Sequence, residues 1–296
     1  MTALVIGEAL VDVVHRMGDD PEPHAGGSPF NVAVGLSRLD VPTVLAAQMG
    51  ADRYGDGLRW HLADSEVTLI ELEPAPDRTS TAAATLAADG SATYTFDLTW
   101  NPAHLPDPSG FDAVHVGSLG TALEPGAALV AELVMSADAL GVPVSYDPNV
   151  RLAVEPDPEV WRRTFAAIAP YASIIKMSDE DAGTLFPGED PADLVRRLSA
   201  DRGIVAITRG GEGSVIATGG AFASVPPADV RVADTIGAGD SFMAAMLAWC
   251  ATYDWPTAAE LDATELIDLA MYASSAAAIT CSRPGADPPR TAELTP

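Results

Sequence analysis

Asp234-Thr235-Ile236-Gly237-Ala238-Gly239-Asp240-Ser241-Phe242 reads as the junction between a loop and an apolar helix, predicted over Ala238–Thr252. The first N–H groups of a helix have no partner within it and point at one spot. The macrodipole adds partial positive charge there, which favours an anion such as phosphate. Glycines let that anion approach the backbone, and Asp240 falls in the first turn at the same mouth. Amides that hold a phosphate, beside an acid that takes a proton, suit phosphoryl transfer to an alcohol. Gly237–Asp240 alone would describe an ordinary loop with an acid at a helix start; the full nine-residue run outweighs that reading.

Upstream, apolar runs predict strands at Leu4–Gly7, Val11–His15 and Val44–Gln48. Ser28 is the expected N-cap and Pro29 the first position of a helix through Leu39. From Ala113 onward, strands Val114–Val116, Val144–Tyr146, Ile174–Lys176 and Ile204–Thr208 alternate with helices Ala127–Ala139, Val160–Ala169 and Ala192–Leu198. A second long, alanine-rich helix is predicted over Ala263–Thr280. Such alternation implies a mostly parallel sheet covered on both faces. Ligands of these sheets bind beyond the carboxyl ends of the strands, and Asp147, Ser178, Thr208 and Asp234 are each expected just after one. Thr79–Trp100 differs: alternation around Asp89-Gly90 reads as a β-hairpin. It is expected to stand apart from the main sheet as a lid, whose strand edge invites a homodimer.

The 296 residues suffice for one large α/β domain or two modest ones. No run of eighteen or more apolar residues predicts a membrane span. The N-terminus lacks the basic region of a signal peptide, and Cys250 and Cys281 in apolar helices read as two buried, reduced thiols. A cytoplasmic protein is expected. The net charge of −26 argues against nucleic acid and anionic membranes as partners; genome composition and a salty cytoplasm explain it equally well. Lys176 is the only lysine. There is no Gly-x-x-x-x-Gly-Lys-Ser/Thr loop, no Gly-x-Gly-x-x-Gly run, and neither His-Arg-Asp nor Asp-Phe-Gly. The five histidines show no metal-ligand spacing.

Asp234–Phe242 resembles the C-terminal signature of the ribokinase-like, or PfkB, family of carbohydrate kinases. Gly26-Gly27-Ser28-Pro29-Phe30-Asn31-Val32-Ala33 is similar to its N-terminal signature. Gly7–Asp12, Asp147–Arg151, Lys176–Asp181, Thr208–Gly210 with Gly213, and Thr280–Ala286 match further family segments in order, so the resemblance covers essentially the whole chain. Gly-Glu-Ala-Leu-Val-Asp, Asp-Pro-Asn-Val-Arg and Thr-Cys-Ser-Arg-Pro-Gly-Ala are most similar to the fructokinase branch. The resemblance implies one carbohydrate kinase domain over 1–296: a three-layer α/β/α fold with a mostly parallel central sheet and a small β-sheet lid near 10–25 and 79–100.

It also implies an ATP-dependent sugar kinase with Mg²⁺ and K⁺, acting on a primary hydroxyl, fructose first among the acceptors. Ribose, 2-keto-3-deoxygluconate or a nucleoside is the alternative, and a non-catalytic sugar sensor a further one. Asp240 would be the base, with the amides of Gly237, Ala238 and Gly239 as the anion hole. Asp12, Gly26, Gly27 and Asn31 would bind sugar; His24 would flank it or simply sit in a loop. Thr208, Gly210 and Gly213 would line the nucleotide site, with Asp147 and Asn149 near phosphate or metal. Arg151 would neutralise phosphate or lie exposed. Ser178 and Asp181 would serve the phosphates and a water-bound Mg²⁺, or merely cap a helix. Asp234 with the carbonyls of Ile236, Thr280 and Gly285 would hold the monovalent cation; where the family often has a late Ser, this chain has Pro289.

Overall fold

Strand β1 (Ala3–Ile6) shows how the sheet is built: Ala3 and Val5 enter one apolar cluster, Leu4 and Ile6 the other. Successive side chains of a strand point to opposite faces, so a run that is apolar throughout belongs between two helical layers. The computed structural model describes residues 1–15, 21–86, 92–200, 203–256 and 261–294. After β1 come β2 (Leu10–His15), β3 (Glu22–Gly26), α1 (Ser28–Arg38), β4 (Thr43–Ala47), α2 (Arg53–Asp64), β5 (Thr68–Glu71), β6 (Ser80–Leu86), β7 (Ala92–Asp97) and β8 (Ala113–Gly117). The chain continues with α3 (Gly126–Ala139), β9 (Val144–Asp147), α4 (Pro158–Ile168), β10 (Ile174–Ser178), α5 (Asp179–Leu185), α6 (Pro191–Ser199) and β11 (Ile204–Thr208). It ends with β12 (Ser214–Ala217), β13 (Phe222–Val225), α7 (Ala238–Thr252) and α8 (Ala263–Cys281).

The large sheet has nine strands in the order β13-β12-β11-β10-β9-β8-β1-β4-β5. It is parallel from β5 to β11 and antiparallel at the β12–β13 edge. One cluster packs α1, α2, α7 and α8 on one face; the other packs α3 to α6 on the opposite face. This is the expected three-layer α/β/α arrangement. The order reverses at β1, with β4 on one side and β8 on the other. Such a switch point opens a crevice at the strands' carboxyl ends. A separate four-stranded sheet, β3-β2-β6-β7, stands outside the main one. The β6–β7 hairpin pairs as expected, from Thr81↔Asp97 to Leu86↔Ala92; the Asp89-Gly90 turn lies outside the described residues.

Several local expectations need correction. The N-cap of α1 is Gly27, not Ser28, and the Ser28 hydroxyl goes elsewhere. Asp234 lies in the long loop between β13 and α7 and does not directly follow a strand. Helix α2 and strands β5, β12 and β13 were not anticipated. Only Gly55, Leu58 and Leu62 of α2 are buried, too thin a stripe for periodicity to register, although Asp52 caps it by accepting from Tyr54 N and Gly55 N. Among the described residues no helix is long and apolar enough to cross a membrane.

Candidate active site

A cavity of about 1090 Å³ runs along the carboxyl ends of the strands. Its walls include Glu8 after β1, Ser118 after β8, Asn149 after β9, Ser178 and Thr208 ending β10 and β11, and the first turn of α7. Gly237 is the N-cap of α7, with φ 74. A Cβ there would lie 2.5 Å from Cβ of Ala286, so both the backbone angle and the space demand glycine. Among the described residues the N–H groups of Gly237, Gly239 and Asp240 have no backbone partner, whereas Ala238 N–H donates to the Thr235 carbonyl at 3.3 Å. The amides left open at the cavity are therefore those of Gly237, Gly239 and Asp240, and Ala238 closes the turn.

Asp240 is 8% exposed. Ser28 Oγ donates to its Oδ1 at 2.6 Å and Asn31 Nδ2 donates to its Oδ2 at 2.8 Å. Both donors come from α1, which Gly27 starts with φ 100; a Cβ on Gly27 would lie 2.6 Å from the Glu8 carbonyl. Asn31 lines the cavity as expected, but its amide donor fixes the acid rather than awaiting a ligand. Ser28 was not foreseen as part of the site; its hydroxyl was assigned to the cap.

At one end of the cavity the small sheet presents Asp12, Ala82 and Phe96, which stand opposite one another across β2, β6 and β7. Burial raises the Asp12 carboxyl above its ordinary range, against the pull of His24 and Arg151. Gly26 does not line the cavity; a Cβ on it would sit 2.3 Å from Asp12 Oδ2, so its bareness makes room for that carboxylate. His24 pairs with Asp12 across β2–β3 and does not line the cavity either.

Glu8 was missed as a site residue. It is 6% exposed, and Oε2 accepts from Gly120 N at 2.9 Å. Burial pushes its carboxyl up to about 7, although Ser118, Gly120 and Arg151 oppose the shift. From about pH 4.5 to about 7 the folded state then binds more protons than the unfolded chain. Stability is fully present below that window, falls as pH rises through it and is flat above. The gap corresponds to about 3 kcal/mol. Denaturant unfolding at pH 5 and pH 8 should show Glu8→Gln gaining about that much on the parent between the two pH values. Identical pH dependence in both proteins would mean that Glu8 ionises normally.

At the other end, Ser178, Thr208, Gly210, Gly213, Arg151 and Asp181 all line the cavity. Ser178 and Asp181 do form a capping box on α5: Ser178 Oγ accepts from Asp181 N, and Asp181 Oδ2 accepts from Ser178 N. Asp181 Oδ1 also accepts from Val150 N at 2.8 Å. The carboxylate is thus fixed by two amides at the wall. Asn149, with φ 39, is buried, and its Nδ2 has no partner among the described residues. Lys176 also lines the cavity and was missed; its strand is buried on both faces, so no polar–apolar alternation marked the face it takes.

Asp234 lies beside α7 but not in the cavity wall. It accepts from Gly285 N at 2.9 Å and Ile236 N at 3.1 Å. These bonds outweigh burial and hold its carboxyl below the ordinary range. Thr280 is fully buried, with its hydroxyl against Ser241 Oγ at 2.7 Å. Asp234, Ile236 and Gly285 are therefore brought together, and Thr280 braces α7 against α8. Cys250 is buried and free; Cys281 is free but only half-buried and lines the cavity, contrary to expectation. No cluster of three or more His, Cys, Asp or Glu able to hold a metal occurs among the described residues.

A cavity at the switch point, lined by a helix N-terminus and a held carboxylate, has the make-up of a site for transfer of an anionic group to a small molecule. A family model for pfkB family carbohydrate kinases matches residues 2–293. The fructokinase of Klebsiella pneumoniae is 31% identical over 261 residues, covering 85% of each chain. Probable fructokinase-6, chloroplastic, of Arabidopsis thaliana is 32% identical over 301 residues, covering 95% of this chain and 78% of that one. The crystal structure of Xylella fastidiosa fructokinase with bound ATP aligns at a TM-score of 0.84 and 26% identity, over 99% of this chain and 96% of that chain. The chain belongs to the pfkB family of carbohydrate kinases and is an ATP-dependent sugar kinase.

Proposed function

We propose that this sugar kinase transfers the γ-phosphoryl group of ATP to a primary hydroxyl of fructose, with Asp240 as the base. The observation that carries this reading is the Asp240 carboxylate, fixed by Ser28 and Asn31 where the two ends of one cavity meet. Sugar lies at the small-sheet end against Asp12, whose carboxylate can accept from two adjacent hydroxyls, with Gly27 and Asn31 beside it. ATP lies over Ser178, Thr208, Gly210 and Gly213, with Arg151 toward its phosphates. The amides of Gly237, Gly239 and Asp240 stabilise charge on the transferring group, and Ala238 keeps them in place. The base need not be strong, because the alcohol becomes acidic only as the P–O bond forms.

The fructokinase names of the relatives support fructose as acceptor. Asp181, its carboxylate fixed by two amides, would hold Mg²⁺ through water beside the nucleotide phosphates, and the ion would neutralise phosphate charge. K⁺ would lie among Asp234 and the carbonyls of Ile236, Thr280 and Gly285, bracing the loop into α7. The whole chain, 1–296, works as one domain, with the small sheet closing over the sugar to exclude water. Two copies would pair through the lid edge.

The test is ATP-dependent ADP release with fructose, ribose, 2-keto-3-deoxygluconate and nucleosides. Fructose should give the highest kcat/KM; a better acceptor would displace it, and release no faster than background with every compound would leave a sensor. Asp12→Asn should raise the fructose KM about 10–100-fold, the worth of a charged hydrogen bond, with the ATP KM unchanged.

A further inference from the structure

The only lysine of the chain lies beneath the amide cradle. In β10, Ile175 and Met177 face the α3–α6 layer, so Lys176 turns toward α7. It is 3% exposed, and its Nζ donates to Asp147 Oδ2 at 2.9 Å from the neighbouring strand β9. Asp147 itself is 0% exposed. A buried ion pair is costly unless both charges are well matched, and it is weak evidence for stability on its own. An ammonium has three donors; among the described residues only Asp147 takes one. The group also abuts Gly239: a Cβ there would lie 2.8 Å from Nζ. Gly239 is thus bare for the lysine as well as for the anion. Burial works against the charge, but Asp147, Asp181 and Asp240 together hold the lysine in its ammonium form. Among the residues lining the cavity, Arg151 and Lys176 are the only cations, against Glu8, Asp12, Asp179, Glu180, Asp181, Asp229 and Asp240.

We propose that Lys176 is a positioning residue for phosphoryl transfer: fixed by Asp147 and seated against Gly239, it sets the first turn of α7 and holds positive charge under the amides that receive the transferring group. This rests on the kinase reading above. It separates Lys176 from a mere counter-ion of Asp147, because a counter-ion would be dispensable once Asp147 is neutral.

Lys176→Met keeps the length and removes the charge; Lys176→Met with Asp147→Asn removes the pair. Relative to the parent, Lys176→Met should lose about 10²-fold in kcat, with the sugar KM within about threefold. Calorimetry without sugar should show ATP affinity falling about tenfold and ADP affinity less than threefold, since only ATP carries the transferring group. The double variant should regain the melting temperature lost through an unpaired buried Asp147, yet stay slow and weak for ATP. Recovery of kcat and ATP affinity in the double variant would overturn the proposal, as would parent-like Lys176→Met or equal losses for ATP and ADP. If Lys176→Met does not fold, the double variant alone decides by the same two readouts. Failure of the parent to phosphorylate any sugar would instead overturn the kinase reading, leaving the ATP-over-ADP comparison to judge the lysine.

Discussion

Asp240→Asn is expected to lower kcat by about 10²–10⁴-fold, the range of a positioned general base, at saturating fructose and ATP. The substitution is nearly isosteric, so what it removes is the capacity to take the hydroxyl proton. Ser28 Oγ can still donate to the remaining side-chain oxygen. The new amide would face Asn31 Nδ2 donor to donor, and a flip of the Asn31 amide restores an acceptor there. The melting temperature should therefore stay within a few degrees of the parent, and the KM values for sugar and ATP within about threefold, because ground-state contacts are retained. A loss in kcat smaller than about tenfold would remove Asp240 from the role of base.

Sequence signals carried the fold furthest where burial was complete. The strands β1, β8, β9, β10 and β11 are apolar runs with a helix between most neighbours, and a parallel sheet follows from that pattern alone. Helix α7 begins and ends where its pattern predicts, since Gly237 marks the start and the apolar run is unbroken to Thr252. Signals failed mostly toward the margins. Strand β13 is a short, partly exposed edge strand and α2 buries only one narrow face, whereas β12 was missed although it is buried throughout and lies one strand in from the edge. In the site, residues carried by local motifs were legible: Asp240, the glycines and the Ser178–Asp181 box all sit within short stretches. Partners distant in sequence were not. Ser28 and Asn31 reach Asp240 across the α1–α7 contact, and Glu8 meets Gly120 across the switch point. Lys176 had one available signal, its being the only lysine and lying inside a buried strand. A charge there needs a partner, and the carboxylate ending the adjacent strand, Asp147, supplies it.

Gly237→Ala should be the second most damaging change, through geometry alone. Alanine at φ 74 costs about 1–2 kcal/mol of backbone strain, and its Cβ would lie 2.5 Å from Cβ of Ala286. One of the two segments must move. The loop bearing Ala286 is held through the Gly285 N–H to Asp234, and α7 is packed on α1 and α8. Asp240 and Ser241 are held by side-chain bonds, so the displacement falls on the stretch 237–239 ahead of them, whose Gly237 and Gly239 amides have no backbone partner among the described residues. Displacing the amides relative to the transferring group by a fraction of an ångström should cost about 10²-fold in kcat, comparable to losing one donor of an oxyanion hole. The sugar KM should change less than about threefold, since Asp12 is carried by the small sheet. Ala286→Gly in the same chain removes the nearer contact but leaves the strain and a 2.9 Å approach to Cα of residue 286; the pair should recover part of the lost kcat, up to about tenfold, while a melting-temperature deficit of a few degrees persists. A Gly237→Ala enzyme with parent kcat would show that these amides do not stabilise the transition state. A double variant no faster than the single would place the damage in the backbone, through the strain at residue 237 and the approach to Cα of residue 286, rather than in contact with the Ala286 side chain.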